Sequence, residues 1–279
     1  MYGTIALDID GTLTTDMGNH MIPPRVLTYL SDLVKKGWQI MFITGRTFLT
    51  CYKTLQEVPF PYYLAVQNGA IILEMPARKI LAKKYLHRSV FKEMEIICHG
   101  DPSDFVLYSG FEHNDVSYYR PKQFSSDLLA YLEKRMSGFG ESWQAVDSYD
   151  ELTIDEFASL KCFGKYEAAL RLTTQIEKIL GLHVPLIRDP FDESYYVVQA
   201  THPDISKGTA LKDMLALTGR QGIVIAAGDD RNDCPMLAVA DVKIAMATSP
   251  AELLQMAHII APPATEEGII VALEAALKP

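Results

Sequence analysis

The chain has 279 residues, of which 48% are hydrophobic and 22% charged. That composition belongs to a globular protein with a real core and excludes a disordered or low-complexity chain. Lys plus Arg is 26 and Asp plus Glu is 35, a net charge of −9, which opposes partners held by phosphate-backbone electrostatics, such as nucleic acid or an anionic membrane surface.

Residues 4–7 form a short apolar run ending at Asp8, shaped like a buried parallel strand. The spacing of Val26, Leu27, Leu30, Leu33 and Val34 predicts a helix over 23–36, closed by Gly37. Strands follow at 39–43, stopping at Thr44-Gly45-Arg46, and at 63–66, stopping at Gln67-Asn68-Gly69. This alternation predicts a doubly wound parallel α/β sheet.

Between about 76 and 200 the texture changes to aromatic strand-like runs (105–108 and 194–199) and two helices (126–136 and 165–180). That stretch reads as an inserted α+β domain with hinges near Met75-Pro76 and 200–203. The first rhythm then returns. A helix over 207–218 ends at Gly219, and a strand over 222–227 is halted by Gly228-Asp229-Asp230. A strand over 242–247 precedes Ser249-Pro250-Ala251-Glu252, which reads as a capping box opening a helix. A strand at 258–261 and a helix over 266–277 end the chain. The expected organisation is a discontinuous core of 1–75 and 201–279 around an inserted 76–200 domain.

The cysteines Cys51, Cys98, Cys162 and Cys234 are far apart and form no CxxC pair, so neither a zinc knuckle nor a disulfide framework is expected. The seven histidines, from His20 to His258, show no metal-ligand spacing. Asp8 and Asp10 stand where a secretory signal carries basic residues, and no apolar run approaches a membrane span. A soluble cytoplasmic protein is expected.

In a doubly wound sheet, ligands gather at the carboxyl ends of the strands where the strand order reverses. Four polar clusters lie at or beside such ends: Asp8-Ile9-Asp10-Gly11-Thr12, Thr44-Gly45-Arg46, Ser206-Lys207-Gly208, and Gly228-Asp229-Asp230-Arg231-Asn232-Asp233. Each alone has a plainer reading: a glycine turn, a helix cap at Thr44, a solvated Lys207, an acidic turn. Together they offer carboxylates, a lysine and a hydroxyl suited to holding Mg²⁺ and a phosphoryl group at once.

Asp8-Ile9-Asp10-Gly11-Thr12-Leu13, Thr44, Lys207 and Gly228-Asp229-x-x-Asn232-Asp233 resemble, in order, the four motifs of the haloacid dehalogenase superfamily. The long stretch between Arg46 and Lys207 resembles its Cof-type members, which carry a large α/β cap there. The resemblance implies a Mg²⁺-dependent phosphatase of small phosphorylated metabolites, such as sugar phosphates, acting through an aspartyl-phosphate. Asp8 would be the nucleophile and Asp10 the acid and base. Mg²⁺ would be held by Asp8, the Asp10 carbonyl and Asp229, with Asp233 ligating or ordering its waters. Thr44, Gly45, Lys207 and Asn232 would hold the phosphoryl oxygens. Met246-Ala247-Thr248-Ser249 stands where the family often has a Gly-Asn pair, so the resemblance does not carry over the contact an asparagine in that loop would make. Arg46 is left between substrate binding and pairing with a carboxylate, and Asn68 between a turn and a cap-facing role. The alternatives are a phosphomannomutase-like phosphomutase and a non-catalytic phosphate-binding module.

Overall fold

A computed structural model describes residues 3–15, 21–189, 191–219 and 221–278; His20 and part of the polar loop expected after the first strand lie outside them. The chain runs β1 (Thr4–Leu7), α1 (Pro24–Lys35), β2 (Gln39–Ile43), α2 (Phe48–Leu55), β3 (Tyr62–Val66), β4 (Ile71–Met75) and β5 (Lys79–Lys83). It continues through β6 (Leu86–His87), α3 (Phe91–Cys98), β7 (Val106–Tyr108), β8 (Ser117–Tyr119), α4 (Ser126–Phe139), β9 (Trp143–Ala145), β10 (Glu156–Phe157), β11 (Ser159–Gly164), α5 (Tyr166–Leu180), β12 (Leu186–Arg188) and β13 (Tyr196–Ala200). It ends with α6 (Lys207–Thr218), β14 (Val224–Gly228), α7 (Cys234–Val239), β15 (Val242–Met246), α8 (Ala251–Met256), β16 (Ile259–Ala261) and α9 (Gly268–Ala276).

The chain divides into two compact units. The first comprises Met1–Arg46, Cys51–Lys83 and Ser206–Pro279 and holds an eight-stranded sheet in the order β16-β15-β14-β1-β2-β3-β4-β5. The six strands from β16 to β3 are mutually parallel, and β4 and β5 add an antiparallel edge. Parallel strands covered on both faces are apolar throughout, because neither pleat direction meets water. Ala6, Met41, Ala226 and Ala245 pack with Leu211 and Met214 of α6, Leu237 of α7 and Leu253 of α8 on one face.

The second unit comprises Thr47–Thr50 and Lys84–Ile205. Its six-stranded sheet has the order β12-β13-β11-β7-β8-β9, with β6 and β10 paired separately. Successive residues of its strands face opposite ways. Leu107, Leu160 and Val198 join α3 and α5 in one apolar cluster, while Val106, Phe163 and Val197 join α4 in another.

The expected first boundary at residue 76 needs correction. Lys79–Lys83 pairs antiparallel with β4 in the first sheet, so Met75-Pro76 opens a turn within that sheet. This edge strand carries lysines at both ends, as sheet edges commonly do, and it lacks the apolar run that marks a buried strand. Among the described residues, no helix is long and apolar enough to cross a membrane.

Candidate active site

Sheet register brings the polar clusters to one end. Leu7 of β1 pairs with Phe42 of β2 and with Ala227 of β14, so Asp8, Thr44 and Asp229 follow the carboxyl ends of three adjacent parallel strands. The chain advances from β1 to β2 and β3 on one side and later places β14, β15 and β16 on the other. That reversal makes the β1/β14 boundary the natural crevice of the sheet.

Lys207 opens α6 behind a reciprocal cap. The Ser206 side chain accepts from the Thr209 amide at 3.1 Å, and the Ser206 amide donates to Thr209 Oγ1 at 2.8 Å. Fixed there and only 1% exposed, Lys207 places Nζ 2.8 Å from Asp8 Oδ1 and 2.7 Å from Asp233 Oδ1. The second Asp233 oxygen accepts from the backbone amides of Asp229 (3.0 Å) and Asp230 (3.1 Å). Thr12 Oγ1 donates to Asp229 Oδ1 at 3.2 Å. Oxygens of Asp8, Asp229 and Asp233 lie within 4.8 Å of one another.

One buried cation among these carboxylates leaves excess negative charge. Burial and the neighbouring Asp233 push the Asp8 carboxyl well above its usual range, against the opposing pull of Lys207. Burial, again with Asp233, raises Asp229 to about 7. For Lys207, burial acts to lower the pKa, but Asp233 and Asp8 outweigh it and the ammonium is held charged. A hard divalent cation fits this set, since carboxylate oxygens are its preferred donors and it would relieve their repulsion.

A pH dependence follows. Because folded Asp229 binds its proton more tightly than an unfolded aspartate of pKa near 3.9, metal-free protein loses stability as pH rises from about 4 through about 7. Melting temperatures in EDTA should therefore fall more steeply over that window for the wild type than for Asp229→Asn, and millimolar Mg²⁺ should reduce the difference. Equal slopes for the two proteins in EDTA would contradict the origin assigned to the shift.

Gly11 is required by both conformation and space. Its φ is +70°, and an added Cβ would stand 2.1 Å from Asp229 Oδ2. Gly11→Ala is expected to displace the Asp229 carboxylate and weaken divalent-cation binding by roughly tenfold or more, as read by calorimetric Mg²⁺ titration; an unchanged Kd would count against this placement.

Beside this cluster, Arg46 grips Asp10. Nε donates to Asp10 Oδ2 at 2.9 Å and a terminal nitrogen pairs with Asp10 Oδ1, while Nη1 donates to Thr54 Oγ1 at 3.1 Å. Of the two roles open to Arg46, the structure shows carboxylate pairing. The Asp10 side chain is thus held separately from the three clustered carboxylates. Thr44 is fully buried, and its hydroxyl accepts from the Arg46 amide at 3.1 Å. It caps this turn and not α2, which starts at Phe48; its own proton can still be donated. Asn232 Nδ2 donates to Asn68 Oδ1 at 3.3 Å, and Asn68 lies against Gly45. Thr12, named in the first cluster but given no role there, and Thr54, which sequence reasoning did not single out, add side-chain hydrogen bonds to Asp229 and Arg46. Thr12 sits within the first motif and could have been suspected, whereas nothing in the sequence marks Thr54.

A model of the haloacid dehalogenase-like hydrolase family matches residues 5–273. Among curated proteins, the chain is 26% identical over 256 residues to an HMP-PP phosphatase of Serratia proteamaculans, covering 88% of this chain and 84% of that one. It is 25% identical over 281 residues to a pyridoxal phosphate phosphatase of Escherichia coli, covering 95% of each. Among solved structures, a haloacid dehalogenase-like hydrolase from Bacteroides thetaiotaomicron superposes with a TM-score of 0.79 at 20% identity, covering 99% of this chain and 100% of that one.

Proposed function

Because this chain belongs to the haloacid dehalogenase-like hydrolases, we propose that it is a Mg²⁺-dependent phosphatase of small phosphorylated metabolites, sugar phosphates or related phosphomonoesters, working through an aspartyl-phosphate on Asp8. The observation that carries this proposal is the division of labour among the carboxylates. Asp8 sits with Asp229, Asp233 and Lys207, while Asp10, two residues on, is oriented apart by Arg46. A nucleophile and a proton carrier have to be distinct groups, and here they are held by distinct partners.

Asp8, Asp229 and the Asp10 carbonyl would hold Mg²⁺, with Asp233 ligating it or ordering its waters, and the bound ion would neutralise an anionic phosphoryl group. An Asp8 oxygen attacks phosphorus as the bond to the leaving oxygen breaks, and Asp10 gives that oxygen its proton. Asp10 then takes a proton from the water that attacks the aspartyl-phosphate, which regenerates Asp8 and releases phosphate. Lys207, the Thr44 hydroxyl, Gly45 and Asn232 hold the phosphoryl oxygens. Selection of the leaving group is the role proposed for the second unit. The names of the two curated relatives, both phosphatases of small phosphorylated compounds, support the substrate class.

The test is a phosphate-release screen of purified protein against phosphorylated metabolites, with Mg²⁺ or EDTA, and with Asp8→Asn as control. Mg²⁺-dependent release from one or more small phosphomonoesters is expected, without any added bisphosphate sugar. Silence across a wide panel, or release that Asp8→Asn retains, would overturn the proposal.

A further inference from the structure

The segment Gln67-Asn68-Gly69, just beyond β3, takes no part in the scheme above, yet its backbone is unusual. All three residues have positive φ, at 50°, 58° and 109°, a conformation that side-chain-bearing residues rarely adopt and that clusters at functional sites. The segment is pinned on two sides. The Gln67 amide donates to the Arg46 carbonyl and the Asn68 amide to the Thr44 carbonyl, each at 2.8 Å. At Gly69 an added Cβ would come within 2.7 Å of the Ala210 Cβ on α6, the helix that Lys207 opens. The strained segment is therefore wedged between the Thr44-Gly45-Arg46 loop and α6.

This wedge buries an amide that the protein does not fully satisfy. Asn68 is 2% exposed, and its Nδ2 has no hydrogen-bond partner among the described residues. Leaving a buried donor unpaired is costly, so such a group calls for an explanation. Its amide lies against Gly45, where an added Cβ would be in ordinary contact with it at 3.4 Å from Oδ1 and 3.7 Å from Nδ2. Asn68 Oδ1 accepts one hydrogen of Asn232 Nδ2; an amide nitrogen carries two donors, and the second stays available.

We propose that Asn68 is a phosphoryl-binding residue, whose Nδ2 donates to an oxygen of the transferred group while its Oδ1 fixes Asn232 as a second amide donor. This rests on the phosphatase function proposed above. A phosphoryl group offers only acceptor oxygens, which is the complement that an orphaned N–H beside Thr44 and Gly45 requires. The strained backbone is the means by which β3 delivers a side chain into that loop.

The test uses tungstate, a phosphate mimic, in Mg²⁺, with Asn68→Gly and Asn68→Asp, since both residues tolerate the left-handed backbone. Tungstate affinity is read from the melting shift over each variant's own baseline, so a change in stability does not obscure it. Tungstate binding is expected to weaken roughly tenfold or more in both variants, and kcat/KM for p-nitrophenyl phosphate to fall in parallel. Variants that bind tungstate within twofold of the wild type overturn the assignment of Asn68 alone. A wild-type protein that neither binds tungstate nor releases phosphate overturns the phosphatase function, and this proposal with it.

Discussion

Asp8→Asn should lower kcat by roughly three orders of magnitude or more while leaving the protein folded. The carboxamide matches the carboxylate in shape but lacks the anionic oxygen that the proposed route uses to attack phosphorus, so that route closes. Loss of activity through unfolding is not expected, because Asp8 carries an unfavourable charge in the metal-free fold: burial and Asp233 together push its carboxyl up despite Lys207. Removing that charge should leave the melting temperature in EDTA equal to or above that of the wild type. Steady-state hydrolysis of p-nitrophenyl phosphate and thermal melts on the same samples check both expectations. A variant retaining more than a tenth of wild-type kcat would remove Asp8 from the nucleophile's role.

Lys207→Met should have the largest effect on stability. Lys207 is 1% exposed and its ammonium bridges Asp8 and Asp233 at 2.8 and 2.7 Å. Methionine has a similar reach but leaves buried carboxylates uncompensated, and breaking a buried pair on one side costs about 3–5 kcal/mol. For a chain of this size that corresponds to a melting temperature lower by roughly 10 °C in EDTA. Mg²⁺ should recover part of the loss, because it would supply positive charge to the same carboxylates, yet turnover should stay low for want of the ammonium proposed to hold the phosphoryl group. An unchanged melting temperature in EDTA would mean that Lys207 does not hold the acidic cluster together.

The parallel core was legible because its strands are buried on both faces and read as unbroken apolar runs, as in QIMFI of β2 with four of five residues buried. The motif residues were legible because parallel strands deliver their following loops to one sheet end. Pairing across that end was not. Arg46 and Asp10 are 36 positions apart, Thr12 and Asp229 are 217 apart, and Asn68 and Asn232 are 164 apart. Nothing local selects one partner over another within a polar crevice.

Local chemistry also misled at one helix start. Ser249-Pro250-Ala251-Glu252 suggested a capping box, but α8 begins at Ala251 with Pro250 as its extended N-cap and no side-chain cap bond. Ser249 lies one residue too early; its amide turns back to the Met246 carbonyl, and its hydroxyl has no partner among the described residues. In the second unit, β8 and β9 pair in parallel through only three residues each, too short for a hydrophobic period to be visible in the sequence. The edge strand β5 escaped notice for a different reason, since its alternation is dominated by lysines and little of it is buried.

The most direct measurement is mass spectrometry of the peptide containing Asp8, after acid quench during turnover of p-nitrophenyl phosphate. Mg²⁺-dependent hydrolysis through the geometry described here predicts a phosphoryl adduct on Asp8, labile to hydroxylamine, absent in EDTA and absent in Asp8→Asn. Turnover that proceeds in EDTA, with Asp8 unmodified throughout, would contradict it.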